Sequence, residues 1–183
     1  SIRINIIKNE IKRNLPQVDV NPNDLYIHIR SGNIFTQGHP FYSQPPFCFY
    51  QTIIENFKFR YVYMISETIN NPVLMKLHKE YDFIIYKMYS FEIDLAYLAN
   101  AYNLVNSVST FAEGAIKIND NLKNLWEYDI LRNSEKVIYL HHDFYDFPRK
   151  YTIYKVIPSN HYRSEMFSWK IKPSQLQLMI SEK

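Results

Sequence analysis

The stretch Asp24-Leu-Tyr-Ile-His-Ile-Arg-Ser-Gly-Asn-Ile-Phe35 decides how this sequence folds. Apolar residues stand at every second position from Leu25 to Ile29, which is the pattern of a buried strand, and a polar run begins at Arg30, where that strand should end. His28 lies two positions before Arg30, so both side chains project from the same face of the strand. The pattern therefore predicts a histidine and an arginine together at the carboxyl edge of a β-strand.

Strand and helix patterns alternate along the chain after this stretch. Buried strands are predicted over residues 60–66, 83–86 and 104–108, and helices with one apolar face over 46–57, 71–81, 91–102 and 111–118. This order favours a parallel sheet covered by helices on both faces. We therefore predict a single α/β domain that takes up the whole chain, residues 1–183.

Segments near the two ends of the chain are assigned to the same domain. Residues 2–14 place Ile4, Ile7 and Ile11 at helical spacing, which predicts an amphipathic helix packed on the domain. The large side chains of residues 125–128 are expected to seal the back of the core. Further strands are predicted over 136–140 and 152–156, and a closing helix over 173–180.

The amino-acid composition of the chain limits the classes of function that it can have. The 183 residues are 46% hydrophobic, which is ample for a core, and they carry a formal net charge of +3 with no block of Lys and Arg. A surface built for nucleic acid is therefore not indicated, whereas a local basic cleft for a phosphorylated ligand remains open. The single cysteine, Cys48, excludes an internal disulfide and a Cys-based metal cluster.

Signals for membranes, targeting and metals are weak in this sequence. No window is long and apolar enough for a membrane span, and the first residues do not read as a signal peptide. The absence of an initial Met leads us to expect a piece of a longer protein. The run His141-His142-Asp143 suggests a metal site, but consecutive residues point in opposite directions and no further ligand is suitably spaced, so we expect no metal.

Two features predict an anion site at the carboxyl edge of the sheet, where open α/β folds bind ligands. The planar guanidinium of Arg30 makes two parallel bonds to a phosphate and stays charged at any working pH. The strand over 104–108 runs directly into Ser109 and Thr110, which open a helix whose first backbone amides are free. Plainer interpretations stay open: a hydrogen-bonded core histidine at His28, a surface arginine, and a simple helix cap at Ser109.

Three motifs, taken in order, resemble those of a known enzyme family. They are His28-Ile-Arg30, Ser66-Glu67, and Asp94-x6-Ala-Tyr-Asn-Leu-Val-x3-Ser109-Thr110-Phe111. Together they look like the successive motifs of the GDP-fucose-dependent fucosyltransferases, the superfamily of the α1,2-, α1,6- and protein O-fucosyltransferases. The likeness spans about residues 24–120.

This resemblance implies a fold and a ligand. The fold is a Rossmann-like parallel sheet similar to the C-terminal, donor-binding half of a GT-B glycosyltransferase, and the donor substrate is GDP-fucose or a related GDP-sugar. Arg30 would grip the β-phosphate, while His28 and Asp94 recognise guanine. The alternative for Asp94 is a structural role, in which an acidic residue in the first turn of a helix interacts favourably with the helix dipole. The resemblance also implies that three further positions supply hydroxyl and backbone donors to the pyrophosphate, namely Ser109, Thr110 and Phe111.

The reaction implied is transfer of fucose to a glycan or protein hydroxyl with inversion, without metal or cofactor. The acceptor hydroxyl needs a base, for which His39 and Glu67 are the candidates. Family members work in the secretory lumen, but no residue of this chain marks that compartment, and the cytoplasm remains open.

Two departures from the family pattern affect these expectations. Asn33 and Ser31 stand where relatives commonly have Asp and a second Arg, so the phosphate pocket carries less charge. The 183 residues also have room only for the donor half, and the acceptor half would lie on a missing segment or on a partner chain. The alternative function is therefore a non-catalytic nucleotide-sugar-binding or scaffold module. A stacking surface for nucleic acid is disfavoured, because the aromatic residues follow core periodicity.

Overall fold

The computed structural model describes residues 2–39, 42–130, 138–146 and 149–182. Within these residues the chain forms a seven-stranded sheet, seven α-helices and a short 3-10 helix over Gly32–Phe35. The strands are β1 (Leu25–His28), β2 (Val62–Ile65), β3 (Ile84–Lys87), β4 (Asn103–Asn106), β5 (Asn124–Tyr128), β6 (Ile138–Asp146) and β7 (Arg149–Ile157). The helices are α1 (Ile2–Asn14), α2 (Phe47–Asn56), α3 (Pro72–Glu80), α4 (Phe91–Asn100), α5 (Thr110–Ile118), α6 (Asn160–Met166) and α7 (Pro173–Ser181).

The order of strands in the sheet is β3-β2-β1-β4-β5-β7-β6. All pairings are parallel except that of β6 with β7, which is antiparallel and lies at one edge. The α/β class and the Rossmann-like sheet predicted from the sequence are therefore confirmed. Strand order reverses between β1 and β4, and such a switch point opens a crevice at the carboxyl ends of the two strands.

Helices cover both faces of this sheet. Leu25 and Ile27 of β1 belong to a core shared with α2, α3, α6 and α7, whereas Tyr26 belongs to a second core shared with α4 and α5. Because both faces of β1 are buried, apolar and aromatic side chains occupy successive positions along it. The alternation along β1 therefore decides which side of the sheet its terminal His28 faces, namely that of α4 and α5.

Residues 124–128 form a central strand of the sheet. The sequence predicts only that the large side chains of residues 125–128 seal the back of the core. Leu125 packs into one core and Trp126 into the other, so β5 is buried on both faces between β4 and β7. The segment is only five residues long and follows a turn rich in Asn and Asp. Such a short run does not by itself distinguish a strand from a loop.

Helix α1 forms where it was predicted, but Ile7 and Ile11 of its apolar stripe do not pack on the domain as expected. Ile7 is 61% exposed and Ile11 39% exposed. Two ion pairs attach the helix instead, because Lys8 and Lys12 both contact the carboxylate of Asp120, with Lys12 at 2.8 Å. The polar face of α1 therefore faces the domain.

The buried side chain of Asn119 joins three elements at the amino edge of the sheet, where β4 and β5 begin. Its amide group donates to the carbonyls of Leu98 at 2.9 Å and Ala101 at 2.8 Å, at the end of α4. Its carbonyl accepts from the backbone amides of Asn121 at 2.7 Å and Leu122 at 3.0 Å. One side chain thus connects the ends of α4 and α5 to the turn that enters β5.

We predict that Asn119→Ala lowers the free energy of unfolding by about 3 kcal/mol, because it leaves several buried backbone groups without partners. The matched control is Asn56→Ala, which removes an exposed amide at the end of α2 and should change stability by about 0.5 kcal/mol or less. Urea denaturation followed by circular dichroism measures both. Equal effects of the two substitutions would contradict the role assigned to Asn119.

Candidate functional site

A cavity of about 400 Å³ opens at the carboxyl edge of the sheet, beside the reversal of strand order. Residues that follow β1, β2 and β4 line it, together with the first turns of α4 and α5. Most of the site residues predicted from the sequence meet here. Those that line the cavity are His28, Arg30, Glu67, Asp94, Ser109 and Phe111.

Two predicted site residues do not line this cavity. Thr110 is exposed at the first position of α5. The ring of His39 contacts that of Tyr42 in a tilted arrangement, with the ring centres 4.8 Å apart, and the same Tyr42 ring lies 4.6 Å from the guanidinium carbon of Arg30. Tyr42 therefore links His39 to the cavity, and the role of His39 as a base stays a prediction.

The backbone of Arg30 is fixed from both sides. Its amide donates to Ser107 Oγ at 3.4 Å, and its carbonyl accepts from the side-chain amide of Asn71 at 2.9 Å. Asn71 also caps α3, so the strand end, the β4 loop and a helix start all hold this position. The fixed backbone places the guanidinium reproducibly at the cavity.

The guanidinium of Arg30 is only partly satisfied. Its Nε is buried and has no hydrogen-bond partner, and no carboxylate of the described residues forms an ion pair with it. Contact with Tyr42 supplies a cation–π interaction but accepts no N–H bond. A buried, unpaired donor on a permanent cation favours binding of an anion.

His28 presents a neutral ring to the same cavity. It is only 8% exposed, its ring centre lies 5.5 Å from that of Phe111, and its Nδ1 has no hydrogen-bond partner among the residues that the structure describes. Burial, and after it the nearby charge of Arg30, lowers the pKa of His28 to about 4. The simpler interpretation of His28 as a fully hydrogen-bonded core histidine therefore does not hold for Nδ1. This nitrogen can form a hydrogen bond to a ligand.

Asp94, in the first turn of α4, has the third buried polar atom at this cavity that lacks a hydrogen-bond partner among the described residues. Its Oδ1 is buried without a hydrogen-bond partner, and burial raises the pKa of Asp94 to about 6. Interaction with the helix dipole fits its position, but that interaction leaves the carboxylate oxygen unbonded. An ionised carboxylate here would accept hydrogen bonds from a ligand.

The turn that enters α5 presents backbone amides rather than a side-chain cap. Ser109 is buried at the cap position, yet its hydroxyl makes no capping bond. Val108, just before it, has φ of 38°, a left-handed conformation that a β-branched residue rarely adopts. Strain of this kind is found where a turn has a function to perform.

Ser31, where the family pattern commonly has a second Arg, has a structural role. Its hydroxyl lies 2.7 Å from that of Ser66 and accepts from the amide of Thr68 at 2.9 Å. It thereby joins the loops that follow β1 and β2. The next residue, Gly32, has φ of 66°, and a side chain there would meet the carboxylate of Glu67.

An aromatic rim was missed by sequence reasoning. The apolar spacing over residues 91–102 predicts Phe91 on the inward face of its helix, but its side chain is 64% exposed, and its ring centre lies 4.9 Å from that of Phe111. Tyr89 lines the cavity beside it. The sequence signal for this rim is the pair Tyr89 and Phe91 at the start of α4, and the apolar spacing along α4 assigned Phe91 to the core instead.

Comparisons of this chain with protein-family models, with curated proteins and with solved structures found no match. In the described part of the chain, no group of three or more His, Cys, Asp and Glu residues is arranged to hold a metal ion. The side chains of His141, His142 and Asp143 lie outside the described residues. Among the helices that are described, none has both the length and the apolar character to cross a membrane.

We predict that the ring of His28 stays neutral from pH 7 down to about pH 4. Removing the Arg30 charge with Arg30→Gln should raise this pKa, but by less than burial depresses it, because burial is the larger cause. Nitrogen chemical shifts of labelled histidine, read in an NMR pH titration, report the charge state, with Arg13→Gln on exposed α1 as the control. A midpoint near the ordinary value of about 6.5 would refute the burial of this ring.

Proposed function

We propose that this cavity binds a guanosine diphosphate sugar, with GDP-fucose as the donor, and that the protein acts as an inverting glycosyltransferase toward a glycan or protein hydroxyl. One observation supports the proposal above others. Arg30, at the end of β1, and Ser109 and Phe111, at the start of α5, line a single cavity. The choice of fucose rests on the resemblance of the motifs alone.

The diphosphate would lie between the Arg30 guanidinium and the first amides of α5. Strands β1 and β4 are neighbours, so their carboxyl ends are about 5 Å apart, within the span of one diphosphate. A guanidinium bonds two phosphate oxygens at once, and a helix N-terminus adds aligned N–H groups and a positive dipole end. These two donor groups suit two linked phosphates better than a single carboxylate.

The guanine base would lie against Phe91 and Phe111 with its edge toward Asp94. Guanine presents two adjacent N–H donors on its Watson–Crick edge, and a carboxylate accepts both. Adenine lacks that pair of donors, so Asp94 would select between the purines. The free Nδ1 of His28 would supply one further bond to the base.

Catalysis would follow from charge stabilisation on the departing GDP. In the proposed reaction the acceptor oxygen attacks the sugar carbon, the bond from that carbon to the β-phosphate oxygen breaks, and the acceptor proton passes to a base. Preorganised N–H donors and a cation lower such a barrier most when they are aimed at the leaving group, as Arg30 and α5 would be. Glu67, exposed at the cavity, and His39 are the candidate bases.

A second candidate function is binding without transfer. The cavity has one arginine, and Ser31 is engaged in hydrogen bonds instead of supplying charge. Release of fucose from GDP-fucose, or its transfer to an acceptor, separates the enzyme from the binding module. Both functions require that the nucleotide bind.

We predict that Arg30→Gln weakens GDP binding by about tenfold to hundredfold, because each hydrogen bond to a charged group contributes about 1.5–3 kcal/mol. Isothermal titration calorimetry measures the affinity. Arg13→Gln removes the same charge from exposed α1 and should leave the affinity unchanged. No binding of GDP by the folded, unsubstituted protein would eliminate the proposal.

We predict that Asp94→Asn removes a preference for GDP over ADP. Because burial raises the pKa of Asp94 to about 6, the affinity ratio of GDP to ADP should rise as the pH increases through about 6 and the carboxylate ionises. The two nucleotides share their phosphate titration, so the ratio isolates the base. Parallel pH profiles for GDP and ADP would contradict the role of Asp94.

A further inference from the structure

A second cavity, of about 240 Å³, lies at the same sheet edge on the other side of β4. Asn106, Glu127 and Lys155 line it and are register partners on β4, β5 and β7. His28 of the first cavity is the register partner of Asn106 on β1. Register partners on adjacent parallel strands project from one face, so the two cavities are neighbours in a single row of side chains.

One polar side chain of this second cavity is buried without a hydrogen-bond partner among the described residues. Asn106 is 6% exposed, and its Oδ1 accepts no hydrogen bond. Buried polar atoms are almost always bonded in folded proteins, so an unmet acceptor beside an open cavity indicates a ligand that donates hydrogen bonds.

The charge of the cavity specifies the ligand further. Three carboxylates line it, those of Glu113, Glu127 and Asp129, against the single ammonium of Lys155. Lys155 lies closest to Asp129, with 3.8 Å between Nζ and Oδ2. The pKa of Glu127 is raised overall. Burial is the largest cause, Lys155 acts against it, and the charges of Glu113 and Asp129 add to the increase. The carboxylates therefore outnumber the cation, and the cavity favours a positive charge.

We propose that the second cavity binds a primary ammonium group of a ligand, held by the Asn106 carbonyl oxygen and the carboxylates of Glu127 and Glu113. An ammonium is a compact group with three N–H donors, which matches one amide acceptor and two carboxylates. An anion would be repelled, and no metal-holding cluster is formed by the described residues. The two cavities share no lining residue, so this inference does not depend on nucleotide binding.

Such an ammonium has two chemical sources, an amino sugar and a lysine side chain. The test uses matched probes without nucleotide, at pH 7: glucosamine against glucose, and Nα-acetyl-lysine amide against Nα-acetyl-norleucine amide. NMR titration of the labelled protein follows the side-chain amide of Asn106 and the backbone amide of Glu127. We expect the charged member of one pair to shift these signals at millimolar concentration and the neutral member to leave them in place. The pair that responds identifies the source.

Substitutions then assign the binding to this cavity. Glu127→Gln should weaken the responding amine by about tenfold, since it removes a charged hydrogen-bond acceptor without changing the side-chain shape. Exposed Glu113→Gln should weaken it by a smaller factor while leaving the fold intact. Glu165→Gln, an exposed change elsewhere, should have no effect. Equal responses to charged and neutral probes, no response to any probe, or an affinity that Glu113→Gln and Glu127→Gln both leave unchanged would overturn the proposal.

Discussion

Strands β1 and β4 lie side by side, although two strands and three α-helices separate them in the sequence. This pairing brings the end of the first strand, with His28 and Arg30, beside the turn that opens α5. Ser107 at the end of β4 fixes the contact, because its hydroxyl donates to the carbonyl of His28 and accepts from the amide of Arg30 at 3.4 Å. The first cavity opens at this pair, because the strand order reverses there.

The buried polar groups around the first cavity affect stability in opposite directions. The pKa of His28 lies below its ordinary value, so its contribution to stability is present above about pH 6.5 and is lost as the pH falls toward about 4. The pKa of Asp94 is raised from 3.8 to about 6, so its contribution is present at lower pH and is lost as the pH rises across that interval. His28 Nδ1 and Asp94 Oδ1 have no hydrogen-bond partner in the described part of the chain, and a ligand that bonds to both would stabilise the fold by binding.

Sequence reasoning succeeded where the signal was local. Alternation along β1 located the strand, its end and the faces of His28 and Arg30, and the strand–helix order predicted the parallel sheet. It failed where tertiary contacts decide. The burial of β5 depends on its two neighbouring strands, and α1 attaches through the distant Asp120 rather than through its own apolar stripe.

The residues of the first cavity show the same difference between what local sequence predicts and what tertiary contacts decide. Ser31 reads as a missing charge in the sequence, but its bond to Ser66 depends on the pairing of β1 with β2. Phe91 reads as core by spacing, but no element covers it fully, and it forms the cavity rim instead. The second cavity had no motif at all, because its residues come from three strands and one helix.

The most direct test of this account is an NMR titration with GDP that follows the backbone amides of residues 109–111 and the side-chain Nε of Arg30. The account predicts that these signals shift together and saturate at one GDP concentration, because one diphosphate contacts both. If GDP binds while these signals stay in place and residues elsewhere respond, the diphosphate does not lie between the strand end and the helix start, and the central claim is wrong.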